Sequence, residues 1–524
     1  MIPRRAVCFA VTILLAGGGL RSSGQNPAPG RARAPETPEI LKVERIADPA
    51  ARLKEFLRIK AAYPGSAQAA RLESDILESR IDLASTVEAV LALQKPGVGQ
   101  GRGTARMTSF FQAAARVLDH PRFSGFEPDR VLAAVLNYRA RAERAAAEPE
   151  TFASMPDPED RRLFVARVLR DFLIIVARAR ANAGDGAQAA AALDEYRAAG
   201  GDAGPEYFNA SGDACAVLGR VRDAYGFYLS AAIENQPGAA EKARAAYAAI
   251  HGDDEGFESR LDRLRSALPF RPEPFTPPKR WRGKTVLLEL FTNSENPLCL
   301  ASDLAAAGLG EAYPDRYLVL LEYHVPLPRP DPLMNPAAET RRDQYRVTTT
   351  PTAVIDGGIR IFGGGTRAMA ESRFKQYKSA IDGSLREEPD LRLKARASWT
   401  GGGVEAVISS NRKRPGAEHY VALVQDRERL KGSSGTIVHR FIVRDLVRID
   451  PALGKSVAFD PAAAGRTADA FLTEFERTGA PEPGFQFADR RTKVDRDGLR
   501  IVYFVQDQGS RRILNAVVAE VESR

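Results

Sequence analysis

The residues with the clearest chemical potential lie between Thr285 and Asp303. An apolar run, Thr285 to Phe291, enters a short polar loop, and the loop opens a helix at Pro297-Leu298-Cys299. A thiol at a helix N-terminus meets the positive end of the helix dipole and free backbone N–H groups, which favour the thiolate. Disulfide exchange also needs a second thiol to resolve the mixed disulfide. The residue three before Cys299 is Asn296, so the Cys-x-x-Cys spacing is broken at its attacking position. An amide cannot attack sulfur. Cys299 falls one turn into the helix, and a thiol buried there has a raised pKa and reacts slowly. This arrangement argues against dithiol oxidoreductase chemistry and leaves a monothiol acting through Cys299 as the enzymatic alternative.

The elements that must position this stretch follow in order. Thr285 to Phe291 is a strand interrupted only by Glu289, and Pro297 to Ala307 is helical with Pro297 in the first turn. Tyr317 to Tyr323 is a second continuous apolar strand, of the kind covered on both faces in a parallel sheet. Asn335 caps a helix with Pro336 at its first position. The strand Ala353 to Asp356, the turn Gly357-Gly358, the strand Ile359 to Phe362 and a helix over Met369 to Ile381 complete the module.

This order, about 280–385, resembles thioredoxin topology. The stretch is similar to exported thioredoxin-like proteins that carry Glu-Leu-Phe-Thr before a Cys-x-x-Cys and Asp four residues after it. Here those residues are Glu289-Leu290-Phe291-Thr292 and Asp303, and Tyr323-His324-Val325, Asp331-Pro332-Leu333 and Thr350-Pro351 match the same group. The resemblance implies a cis peptide before Pro351, beside the site. It also sets Glu289 against the buried acid that assists proton transfer in active relatives, if the loop holds one extra residue. The residues themselves allow Glu289 to be a strand-end carboxylate with a basic partner. His324 is either a neighbour of the Thr350-Pro351 loop or a hydrogen-bonded edge residue. The groove beside Pro351 is expected to take an extended peptide by backbone pairing, which needs no cysteine.

The rest of the chain supplies the setting. At 524 residues it is too long for one core. Its +8 net charge is scattered among acidic residues, with no dense basic block, so a nucleic-acid partner is not expected. Residues 1–24 read as a secretory signal: Arg4 and Arg5, an apolar run from Ala6 to Leu20, then Ser22-Ser23-Gly24. No later apolar run is long enough to span a bilayer. The expected address is export, to the periplasm or outer envelope. Residues 25–39 read as a disordered linker. From 40 to 270 the pattern is helical. Gly184, Gly219 and Gly252 recur at spacings of 35 and 33 residues, and the order Phe208, Gly212, Leu218-Gly219, Ala224, Tyr228, Ala231, Pro237 resembles the tetratricopeptide repeat. Such repeats stack into a curved surface that binds polypeptides or serves as a spacer.

Cys215, three residues after Gly212, is expected to be core. Phe270 to Lys279 holds the prolines of a linker. From 388 to 524 the periodicity changes to two, with about seven short strands and one helix, Ala468 to Thr478, which suggests a β-sandwich of immunoglobulin-like kind. His419 and His439 stand alone in sequence, so no metal set and no cofactor is expected. The expected protein is multidomain: a tetratricopeptide-like α-helical region, an α/β thioredoxin-like domain and a C-terminal β-sandwich. Its expected role is protein or peptide binding.

Overall fold

The structure is a computed structural model. It describes residues 39–522 apart from 41–42, 44–45, 47, 67, 100–103, 121–122, 124–125, 153–154, 156, 278, 451–453 and 480–484. The expected signal, residues 1–24, and all but the last residue of the expected 25–39 linker lie outside the described residues. The chain divides into two compact units at Glu258/Ser259.

The first unit is helical: α1 (Pro49–Ala62), α2 (Ala69–Leu83), α3 (Val87–Gln94), α4 (Thr104–Leu118), α5 (Pro128–Ala146), α6 (Pro158–Asn182), α7 (Gly186–Ala198), α8 (Pro205–Val217), α9 (Val221–Ile233) and α10 (Ala239–His251), with α11 (Phe257–Ser266) crossing the division. One device starts several of them. Proline sits in the first turn of α1, α5, α6 and α8, where its missing N–H costs nothing. The recurring glycines are the stops. Gly184, Gly219 and Gly252 follow α6, α8 and α10 with φ of 80°, 72° and 96°, a left-handed conformation that glycine adopts without strain. At Gly212 the constraint is space: a Cβ there would lie 2.4 Å from the Tyr228 ring of α9. Cys215 is buried in the same helix, and its thiol is free.

The second unit carries β1 (Val286–Thr292), α12 (Leu300–Ala312), β2 (Leu318–His324), α13 (Pro336–Tyr345), β3 (Thr352–Ile355), β4 (Ile359–Phe362) and α14 (Ala370–Ser384), in the order expected from the sequence. It continues with β5 (Leu393–Thr400), β6 (Gly403–Ser410), β7 (Ala417–Arg429), β8 (Val438–Ile449), β9 (Gly454–Phe459), α15 (Pro461–Glu474), β10 (Leu499–Asp507) and β11 (Ile513–Glu522). The helix expected at Ala468 begins seven residues earlier, because Asp460 caps it, accepting from Ala462 N at 2.9 Å, and Pro461 opens it.

The eleven strands among the described residues join in one mixed sheet, ordered β4-β3-β1-β2-β8-β7-β10-β11-β5-β6-β9. β1 runs parallel to β2 and antiparallel to β3. β8 extends the sheet beside β2, pairing Glu322 with Ile442 in parallel. This corrects the expected boundary between a module ending at 385 and a separate β-domain starting at 388. The β5-β6-β9 layer does pack face to face on β7 and β10, through Ala406, Ile408, Val421, Leu423, Ile501, Tyr503 and Val505. The alternate residues Tyr420, Ala422, Val424, Val502 and Phe504 enter the core built on β1 and β2. Successive side chains of a strand point to opposite faces, so β7 and β10 are buried on both. Their long apolar runs record that double burial. The core built on β1 and β2 is therefore shared with β7 and β10.

Candidate functional site

The expected site residues gather where β1 ends and α12 begins. Asn296 is buried, and its Oδ1 accepts from Leu298 N at 3.1 Å, capping the turn Pro297-Leu298-Cys299. Its Nδ2 donates to Thr350 O and to Thr350 Oγ1, both at 3.0 Å. The Thr350–Pro351 peptide is cis, and so is Leu327–Pro328. Thr350 Oγ1 donates onward to Leu327 O. The amide that stands where an attacking thiol is expected thus ties the helix start to the Pro351 loop. Pro297 and Leu298 are exposed, whereas Thr350 and Pro351 are buried.

Cys299 is completely buried. Burial pushes its thiol up to about 12, and the adjacent Asp303 carboxylate adds to the rise. The hydroxyls of Thr292 and Thr350 and the N–H of Asn293 oppose it only in part. At neutral pH this sulfur is a protonated thiol, not a nucleophile.

The acid beside the thiol is Asp303, not Glu289. The strand period of two explains the exchange. Thr292 faces α12, where its Oγ1 donates to Asp303 Oδ1 at 2.6 Å. Glu289, three residues earlier, points to the opposite face. There it meets Arg341 of α13, which donates from Nε to Oε1 at 2.6 Å and from Nη2 to Oε2 at 2.9 Å. Tyr345 Oη donates to Glu289 Oε2 at 2.6 Å. Arg341 also donates to Gln506 Oε1 at 2.7 Å, and the Tyr345, Tyr420 and Phe504 rings lie 4.6, 5.1 and 5.2 Å from its guanidinium. Burial opposes the Arg341 charge, but Glu289 and Tyr345 hold its pKa above the ordinary value. The basic-partner reading of Glu289 describes its surroundings. The sheet separates it from Cys299.

On the Cys299 side lies a polar cluster that the sequence reading only partly found. Glu322 and His324 of β2 share the face of Thr292, since His324 is in register with Thr292. Asp303 Oδ2 accepts from Thr436 Oγ1 at 2.8 Å. Burial lifts Asp303 to about 6 against the pull of these hydroxyls and of His324. Glu322 stands well above the usual carboxylate range, first from burial and then from the charge of Asp303. His324 is no edge residue: it is buried, its Nδ1 lies 3.0 Å from Asp331 Oδ2, and its ring meets that of His439 edge-on at 5.1 Å. Asp331 also accepts from Ser294 N at 2.6 Å and Leu333 N at 2.7 Å. Burial alone would raise its carboxyl, but the His324 charge and these N–H groups hold it below its ordinary value. His439, isolated in sequence, is not isolated in space; burial pushes it down to about 3.

The tip of the β7–β8 hairpin closes the cluster. Ser434 N donates to Ser294 O at 2.8 Å, and Ser433 Oγ donates to Glu295 Oε2 at 2.6 Å. Gly432 passes so close that a Cβ would lie 2.1 Å from Ser294 O. With Thr436 on Asp303, the tip seals the loop above the thiol. Among the described residues no group of three or more His, Cys, Asp and Glu is arranged to hold a metal ion, and no helix is long and apolar enough to cross a membrane.

A single charged residue inside an apolar strand (Glu289, Glu322) and an arginine on the buried stripe of α13 with Ala338 and Tyr345 were the available sequence signals. Thr436 and His439 gave none. No family model and no curated protein matches the chain. Among solved structures, the chain is similar to a crystal structure of an Agrobacterium tumefaciens protein at 16% identity and a TM-score of 0.29, covering 44% of this chain and 92% of that one. It is also similar to HBP35 of Porphyromonas gingivalis at 11% identity and a TM-score of 0.30, covering 46% of this chain and 76% of that one.

Proposed function

We propose that this is an exported, thioredoxin-like protein that has lost its attacking thiol and binds or scaffolds other polypeptides in the cell envelope. In this reading residues 280–385 are the thioredoxin-like part, the helices of 40–270 are a tetratricopeptide-like array, and the C-terminal strands form an immunoglobulin-like sandwich. The carrying observation is Cys299: fully buried, held as a thiol, and preceded by a hydrogen-bonded Asn296. Support for a binding role comes from the surface around Gly364, where Leu298, Phe362 and Met369 are 51%, 58% and 46% exposed. Arg329, Arg346 and Arg360 are also exposed on neighbouring segments. An extended peptide with an apolar anchor and acidic flanks suits such a surface.

Two assays test the reading. Wild type and Cys299→Ser are compared for insulin reduction, and the native protein is analysed by non-reducing mass spectrometry after exposure to maleimide. The expectation is no turnover by either protein and no labelling before denaturation. Turnover that disappears in Cys299→Ser establishes the monothiol enzyme instead.

A further inference from the structure

The opposite end of β1 carries a feature that the polypeptide-binding reading does not use. Residues 279–284 read Lys-Arg-Trp-Arg-Gly-Lys, a local concentration of charge that the whole-chain balance conceals. The segment is anchored. Lys284 is buried, donates to Ile513 O at 2.8 Å and lies 3.2 Å from Asp356 Oδ2. Trp281 Nε1 donates to Lys284 O at 2.8 Å, and its ring packs 4.8 Å from that of Tyr317. These anchors leave Lys279, Arg280 and Arg282 exposed. Arg386, just past the end of α14, meets them across a surface cavity of about 630 Å³, which Glu388 also lines.

The carboxylates nearby are already engaged. Glu388 pairs with Arg282, and Glu387 pairs with Arg512. Lys279, Arg280 and Arg386 have no carboxylate partner among the described residues. Three cations from segments a hundred residues apart in sequence therefore face one opening with their charge uncompensated. Like charges lining one opening repel, and a multivalent anion relieves the repulsion. The guanidinium fork matches phosphate oxygens in bidentate fashion, and lysine adds a point charge. The opening has room for more than one phosphate.

We infer that Lys279, Arg280, Arg282 and Arg386 form a binding site for a phosphate-bearing anion of at least two negative charges, either a soluble polyphosphate or an anionic lipid headgroup. The test uses the full chain, wild type and Lys279→Gln/Arg280→Gln/Arg386→Gln, with Lys54→Gln/Lys95→Gln/Lys413→Gln as a control of equal charge loss. Circular dichroism confirms that all three are folded. Each is titrated calorimetrically with inorganic pyrophosphate and, separately, floated with phosphatidylglycerol–phosphatidylcholine vesicles and with phosphatidylcholine vesicles at low salt.

Wild type is expected to bind pyrophosphate or the anionic vesicles. The first result identifies a soluble ligand, and vesicle binding alone identifies a headgroup. The pocket variant is expected to lose about a hundredfold in affinity, on the scale of basic side chains at an anionic surface, while the control keeps it. Absence of wild-type binding to either probe, or an equal loss in the control, overturns the site.

Discussion

The pair Glu289–Arg341 offers the sharpest test of how the second unit is held together. Arg341 is fully buried and reaches β1, β10 and its own helix through one guanidinium. Replacing it with methionine leaves the Glu289 carboxylate in the core with only Tyr345 as a donor. Removing one partner of a buried pair costs about 3–5 kcal/mol. Glu289→Met, which strands the arginine, is expected to cost a similar amount. The double variant is different. Gln506 Nε2 still donates to Tyr345 Oη at 2.9 Å and to Arg511 O at 2.7 Å, so no charge and few polar groups are orphaned. It is expected to lose less stability than either single variant, for a coupling of at least about 3 kcal/mol. The protein has two tryptophans, Trp281 and Trp399, both in the second unit. Urea unfolding followed by tryptophan fluorescence therefore reads this unit alone. Single-variant losses below about 1 kcal/mol, or additive losses in the double variant, would refute the argument that the pair is a mutually dependent buried bridge. Cys299 must stay unlabelled by maleimide in the folded form of all three, since it lies across the sheet.

Three further perturbations follow from the site. Asn296→Cys restores the missing thiol at the helix start; it should form a reversible disulfide with Cys299, read by mass spectrometry, at a cost of about 1 kcal/mol for the lost cap. Asp303→Asn tests the raised carboxyl. With its folded pKa near 6 against 3.8, Asp303 contributes stability at low pH that disappears as pH rises through 6. Relative to wild type, the variant should therefore gain about 2 kcal/mol between pH 4 and pH 8 in urea titrations, and a pH-independent difference would contradict this. Gly432→Val drives a side chain into Ser294 O; it should cost about 1–3 kcal/mol and open Cys299 to maleimide in the native state.

Local signals in the sequence carried the element order of the second unit. Asn335 caps α13 as read, accepting from Ala338 N at 3.0 Å. The glycines at 184, 219 and 252, read from their spacing as a repeat, stand just past helix ends in the left-handed conformation. What escaped depends on partners far along the chain. Thr436 reaches Asp303 across 133 residues, and Gln506 reaches Arg341 across 165. Neither leaves a periodic trace. The apolar runs of β7 and β10 were legible as strands, but a run buried on both sides reads the same whether its neighbours are helices or another sheet. The swap of Glu289 for Asp303 as the acid near the thiol had a simpler cause. One residue of assumed slippage in the loop was enough to move a carboxylate to the wrong side of the sheet.

The pairing of β2 with β8 also limits how this gene can be dissected. A fragment stopped near Glu388 would bare the flank of β2 along with the aromatic underside that β7 and β10 cover, and an open edge of that sort recruits other chains. Expression of the Cys299-bearing part by itself should yield aggregate, whereas a cut just before Phe257 follows the division of the chain and keeps α11 whole.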